Sequence, residues 1–295
     1  MQNFSGAWPA LVTPFTKSDE VNVPVLRRIV EYLVDKGSGG LYVCGSTGEG
    51  IYMTSAERQL VLEQTIEQVN GRVPVIAHVG ALVAADACAL ARHAQDVGAD
   101  GVASIIPPLY RSTQSVVDYF TALGAAAPET PLLTYIFGGP VDAVALMQAM
   151  SSIPTLAGSK YTGPNMFEFR RIVDLGQGKW TVFSGMDEQC LFAAMFGSSG
   201  NIGSTLNYMA GAYREMHAAV AAGDCARGID LQLRINLITG QLIDVGFLGA
   251  LKAVMAHLGF DCGSTRLPNA MLPQEKWQPL FDQITQSGFN ELAEM

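Results

Sequence analysis

The sequence predicts a closed (β/α)8 barrel carrying a C-terminal helical extension, and three features predict it. Apolar runs of strand length recur eight times over the first two-thirds of the chain. Stretches of helical length and period lie between them, and after Ser204 the pattern turns purely helical. Short apolar strands of this kind are buried on both faces, and their alternation with helices forms a parallel sheet. Eight repeats within 295 residues close into a barrel more readily than they spread into an open doubly wound sheet. The barrel is expected over residues 1–206 and the extension over 207–295.

The strands are expected at 8–13, 40–44, 75–79, 101–106, 132–136, 155–159, 181–184 and 201–203. Helical patterning covers 24–36, 55–70, 84–97, 115–126, 141–150 and 186–196. Thr54 and Ser55 offer capping hydroxyls ahead of a first-turn glutamate, Glu57. Gly37 and Gly98 follow helical runs, where a left-handed residue stops a helix. In the extension the helical pattern breaks near Gly223-Asp224, between Gly259 and Pro268, and at Gly288.

Composition narrows the functional classes. With 49% hydrophobic residues and a mean hydropathy of +0.23, the chain holds enough apolar material for one large core. Against 27 acidic residues stand 18 basic ones, and the net charge of −9 argues against a broad surface for nucleic acid or anionic membrane. Cys44, Cys88, Cys190, Cys225 and Cys262 form no C-x-x-C pair, so zinc and thioredoxin-like chemistry have no spacing to rest on, and free thiols suit a reducing cytoplasm. His78, His93, His217 and His257 show neither H-x-x-x-H nor H-E-x-x-H, and the serines lack a G-x-S-x-G elbow. Residues 1–6 lack the basic and apolar regions of a signal peptide, so a cytoplasmic location is the expectation. The most membrane-like stretch, 75–91, is interrupted by His78, Gly80 and Asp86 and reads as a buried strand entering a helix.

Barrel chemistry gathers where strands end at the C-terminal face. Those positions hold Thr13, the run Gly45-Ser46-Thr47-Gly48-Glu49, Tyr110, Tyr135, Lys160, Gly185-Met186-Asp187-Glu188 and Ser204. Most lysines are solvated surface charges, but Lys160 closes an apolar strand run in a chain with few lysines. The loop 45–50 follows a strand and precedes a helix, so its amides and hydroxyls suit an anion of carboxylate size. It is neither a Walker A loop nor a dinucleotide G-x-G-x-x-G. A strand tyrosine is more often a core residue with its hydroxyl satisfied, yet Tyr135 at a strand end is placed to shuttle a proton, and Tyr110 less directly so. Asp187 and Glu188 either cap a helix or accept hydrogen bonds from a polyol. A lysine, two phenols and a hydroxyl-bearing anion loop together suit imine chemistry on an α-keto acid.

These residues resemble the N-acetylneuraminate lyase and dihydrodipicolinate synthase family of pyruvate-dependent class I aldolases. The resemblance runs from Pro9-Ala10-Leu11-Val12-Thr13-Pro14-Phe15 to Arg266-Leu267-Pro268. It implies that Lys160 is the Schiff-base lysine, Tyr135 the catalytic tyrosine, and Ser46 with Thr47 the carboxylate site. It further implies that Tyr110 completes a Thr47–Tyr135 relay across a subunit contact of a homotetramer, and that no cofactor is needed. Gly185, Asp187, Glu188, Thr162 and Ser204 look like the lyase branch, in which the acidic pair contacts sugar hydroxyls. Pro140 stands where dihydrodipicolinate synthases usually place an arginine. Two departures adjoin the expected pocket: Ile136-Phe137-Gly138 replaces the usual Asn-Ile-Pro, and Ser159 replaces an aliphatic residue. The implied activity is reversible cleavage of a 4-hydroxy-2-keto sugar acid, N-acetylneuraminate first, to pyruvate and an aldehyde. A 2-keto-3-deoxy sugar-acid aldolase or dehydratase, a dihydrodipicolinate synthase and a noncatalytic sugar-acid binding barrel stand as alternatives.

Overall fold

The computed structural model describes residues 4–110, 112–137 and 142–295. Met1 to Asn3, part of the segment read against a signal peptide, lie outside the described residues, as do Gly138, Gly139, Pro140 and Val141.

Eight strands form one parallel sheet: β1 (Gly6–Pro9), β2 (Leu41–Val43), β3 (Val75–His78), β4 (Gly101–Ile105), β5 (Leu132–Phe137), β6 (Leu156–Thr162), β7 (Thr181–Ser184) and β8 (Gly200–Gly203). They are hydrogen-bonded in the order β1-β8-β7-β6-β5-β4-β3-β2. A parallel bridge between Ala10 and Tyr42 joins the two ends, where the Leu11 N–H donates to the Tyr42 carbonyl at 2.9 Å. The ring is therefore closed.

Among the described residues, eight helices surround it: α1 (Val23–Asp35), α2 (Ser55–Val69), α3 (Ala84–Asp96), α4 (Thr113–Ala126), α5 (Ala143–Met150), α6 (Met166–Leu175), α7 (Cys190–Met195) and α8 (Leu206–Ala221). Thr54 and Glu57 form a reciprocal capping box at the start of α2, and Gly37 and Gly98 adopt left-handed φ angles of 74° and 83° just past α1 and α3. Beyond the barrel lie α9 (Cys225–Val245), α10 (Phe247–His257), α11 (Trp277–Gln286) and α12 (Phe289–Glu294). Because α8 packs on β1 and β8 as the eighth barrel helix, the appended helices begin at Cys225, later than the expected 207. The chain turns by 117° between α9 and α10, a break the helical patterning did not signal. No single described helix is long and apolar enough to cross a membrane.

Two apolar layers divide the core. Inside the ring, Phe4, Trp8, Tyr42, Ile76, Leu133, Phe183 and Ile202 fill the barrel, with Trp8 edge-on to both Phe4 and Phe183. The larger layer, between strands and helices, takes the alternate strand positions such as Leu41, Val43, Val102, Leu132 and Val182. Two strands, β1 and β6, differ from expectation by more than one residue at an end. β1 stops at Pro9 because beyond it the backbone passes from β8 to β2: the Ala10 N–H still donates to the Gly203 carbonyl at 2.8 Å, while Ala10 bridges to Tyr42 and the Leu11 N–H donates to the Tyr42 carbonyl. β6 runs to Thr162 because Ile136 and Phe137 of β5 continue the pairing with Tyr161 and Thr162.

Candidate active site

Lys160 owes its direction to an irregularity in β6. Leu132 of β5 pairs with Leu156, but Leu133 pairs with Gly158, so Ala157 is an extra residue. Leu156 faces the helices, and an unbroken period of two would send Lys160 the same way. The bulge reverses the parity, and Gly158, Lys160 and Thr162 share the inner face with their partners Leu133, Tyr135 and Phe137. Ser159 alternates with Lys160 and lies on the outer side with Val182, so that departure does not border the pocket as its sequence position suggested.

Lys160 is buried, its Nζ 4.3 Å from the centre of the Tyr135 ring and 5.0 Å from that of Tyr42. Two aromatic faces thus cradle the amine. On the far side stands Gly185, where any Cβ would lie 2.8 Å from Lys160 Cε and 1.8 Å from Thr162 Oγ1. The absence of a side chain there leaves the lysine its space. His78, buried in the same cluster, has its ring centre 6.1 Å from that of Tyr42 and 6.3 Å from that of Tyr135. Its Nε2 accepts the Ile105 N–H at 3.0 Å, and burial first, then the charges of Arg58 and Lys160, hold the ring neutral far below the usual histidine range. Tyr42 was not singled out in the sequence, and His78 was weighed there only as a metal ligand and as a break in an apolar run; each shows in the sequence as a polar tip inside an otherwise apolar run.

The loop after β2 presents Ser46 to solvent and buries Thr47. It is tied from within by Gly50 N–H to the Gly45 carbonyl and Glu49 N–H to the Ser46 carbonyl, and from below by the Thr13 hydroxyl, which donates to the Gly48 carbonyl at 2.7 Å. Gly45 and Ser46 line a small cavity of about 60 Å³ together with His78, Gly80 and Ile105. Thr47 Oγ1 lies 2.6 Å from Ser204 Oγ, so the structure joins these two hydroxyls across the barrel mouth. No hydrogen bond runs from Thr47 to Tyr135 among the described residues.

Past β7, Asp187 is buried and Glu188 half-buried. One Asp187 oxygen accepts the Thr205 N–H at 2.9 Å and the Thr205 hydroxyl at 2.8 Å, while Oδ1 has no protein partner. Burial raises its carboxyl from the ordinary range to about 6, although the Thr205 bonds pull the other way. The Asp187 and Glu188 carbonyls accept from Gln232 Nε2 and Asn236 Nδ2 of α9, each at 3.1 Å, so an appended helix holds this turn in place. Thr162 Oγ1 and the Tyr42 hydroxyl are likewise buried and unpartnered. Unpaired polar atoms in a buried cleft are costly unless water or a ligand satisfies them.

Tyr110 stands apart. It lines an open, largely apolar cavity of about 600 Å³ with Ala81, Leu82, Leu109, Asp118 and Tyr119, outside the cluster around Lys160. Phe137, 60% exposed, stands at the barrel mouth with its ring centre 6.3 Å from that of Tyr135. The rest of the altered segment, Gly138 onward, and the arginine-replacing Pro140 fall outside the described residues.

Comparison with known proteins identifies the family. The chain is 34% identical over 282 residues to an N-acetylneuraminate lyase of Mus musculus, covering 92% of this chain and 88% of that protein. It is 32% identical over 267 residues to an N-acetylneuraminate lyase of Rhizobium meliloti, covering 89% and 88%. Among solved structures, Proteus mirabilis N-acetylneuraminate lyase superposes with a TM-score of 0.93 at 31% identity, over 98% of this chain and all of that one. The pattern of the dihydrodipicolinate synthetase family matches residues 3–287, and the chain belongs to that family.

Proposed function

We propose that this protein is a class I lyase that uses Lys160 to cleave a 4-hydroxy-2-keto sugar acid, N-acetylneuraminate first, to pyruvate and an aldehyde. The observation that carries this reading is the placement of Lys160 Nζ: buried, facing the barrel interior, cradled by Tyr135 and Tyr42 and cleared by Gly185. Binding alone requires no enclosed nucleophilic amine. The two lyase relatives and the superposed lyase structure support the choice of sugar acid.

In this mechanism the Lys160 amine attacks C2 of the keto acid, and loss of water leaves an iminium. Ser46 and Thr47 hold the C1 carboxylate, fixing the carbonyl against the amine. Tyr135 takes the proton of the C4 hydroxyl, the C3–C4 pair flows to the iminium nitrogen, and an aldehyde leaves behind an enamine. Protonation of the enamine at C3 and hydrolysis of the imine release pyruvate and regenerate Lys160. The unpartnered Oδ1 of Asp187 and hydroxyl of Thr162, with Glu188 and Ser204, receive the hydroxyls of the aldehyde portion. Tyr110 enters the proton path in a homotetramer, contributed by a neighbouring subunit. The exposed Leu82, Val83 and Leu109 around it support such a contact. Free thiols at Cys44, Cys190 and Cys262 support a cytoplasmic setting.

Borohydride reduction in the presence of pyruvate, followed by mass spectrometry of the digest, tests the reading. A stoichiometric reduced adduct on Lys160 is expected, with N-acetylneuraminate cleaved by the same preparation. A folded protein that yields no adduct overturns it.

A further inference from the structure

The loop that carries Ser46 and Thr47 ends in a buried ion pair that the chemistry above does not use. Glu49 adopts a left-handed φ of 56° and its side chain is 0% exposed. Its Oε1 lies 2.7 Å from Nζ of Lys252, itself 1% exposed and set in the middle of α10. Oε2 accepts the Arg266 N–H at 2.7 Å and Asn269 Nδ2 at 3.1 Å. Lys252 also donates to the Ser264 carbonyl at 2.8 Å and sits 4.5 Å from the centre of the Phe15 ring. Burial lowers the affinity of this amine for its proton, and the Glu49 carboxylate beside it opposes that loss. Among the described residues, the Glu49 carboxylate thus finds its partners, Lys252, Arg266 and Asn269, in the segment beyond the barrel.

A buried pair of this kind adds little net stability over an apolar pair of the same volume, because desolvating two charges offsets their attraction. Its evident effect is geometric. Glu49 is two residues from Thr47, and a left-handed non-glycine conformation persists only where its surroundings over-determine it.

We propose that Glu49 and Lys252 form a positioning pair through which α10 and the following loop set the carboxylate-binding hydroxyls and amides of residues 45–48 against Lys160. Neither residue touches the reacting atoms. This inference rests on the imine-forming reading of Lys160. It assigns the appended helices a part in substrate capture, beyond packing.

The test compares wild type with Asn269→Ala, which removes one bond to Glu49 at a half-buried position, and with the double variant E49Q/K252M, which removes both charges together. Melting temperature, the pyruvate concentration that half-saturates borohydride trapping, and the fraction trapped at saturation are measured for each. The expected result is half-saturation raised about 10–100-fold in the double variant and about 3–10-fold in Asn269→Ala, with the saturating fraction retained, as displacement of a binding loop requires. A merely structural role lowers melting temperature without moving half-saturation, and that outcome in Asn269→Ala, or in a folded double variant, overturns the proposal. If wild type traps no pyruvate, the imine reading fails instead. The pair is then judged by amide hydrogen exchange of residues 45–53: exchange about 10-fold faster in Asn269→Ala sustains the clasp, and unchanged exchange refutes it.

Discussion

At Asp187 the position of a single carboxyl sets a pH dependence. Burial lifts it to about 6, so below that pH it is protonated and above it carries the charge that accepts a hydroxyl hydrogen bond well. Cleavage of the sugar acid, as kcat/KM, is therefore expected to rise as pH climbs through about 6, and trapping of pyruvate alone to lack this limb. Asp187→Asn removes the limb, and a profile from about pH 5 to about pH 8 in both proteins checks it. A persistent limb in the variant assigns the titration elsewhere. The sign for stability is opposite: a carboxyl raised on folding costs the folded state progressively as pH rises from the ordinary carboxylate range to about 6. Gly185 makes a second residue-scale case. A methyl there collides with Thr162 Oγ1 and Lys160 Cε, so Gly185→Ala is expected to slow adduct formation about 10–100-fold, read by the rate of borohydride trapping. An unchanged rate would show that the lysine has room to spare. Lys160, Tyr135, Ser46, Thr47, Asp187 and Ser204 were singled out by residue type and place near strand ends, which are local features, but the inward turn of Lys160 depends on a bulge that periodicity does not carry. Tyr42 and His78 were not assigned to the pocket, since inward-facing aromatics in apolar strands are read as core until their neighbours are known.

Among the elements, β6 carries the amine on which the proposed chemistry rests. Its extra residue turns Lys160 from the helix side to the barrel interior, and Gly158 makes the turn possible with a φ of 149° at a point where a Cβ would lie 1.8 Å from the Thr181 carbonyl oxygen. Gly158→Ala is expected to destabilise the fold by about 1–3 kcal/mol and to reduce the Lys160 adduct even in the folded fraction. Thermal melting paired with trapping checks both, and a normal adduct yield would show that the bulge is not what aims the amine. The sequence held a cue, since an isolated glycine within a strand run marks a bulge. The apolar run was instead read as ending at Ser159. Pairing with β5 extends it to Thr162, and such pairing is a contact between segments that periodicity cannot supply.

For the molecule as a whole, the eightfold alternation was plain in the sequence because each β/α unit repeats a local pattern. What joins the units was not. The Gln232 and Asn236 bonds to the Asp187–Glu188 turn, like the contacts of Glu49, link segments far apart in the chain and leave no periodic trace. The ring's last rung is of the same kind: Ala10 meets Tyr42 in a lone bridge, and the ring of Tyr42 lies against Lys160. The seam of the cylinder and the seat of the amine are thus one residue. Any breathing that parts the first strand from the second withdraws a wall from the Lys160 amine, so under the proposed chemistry the nucleophile registers whether its own container is shut.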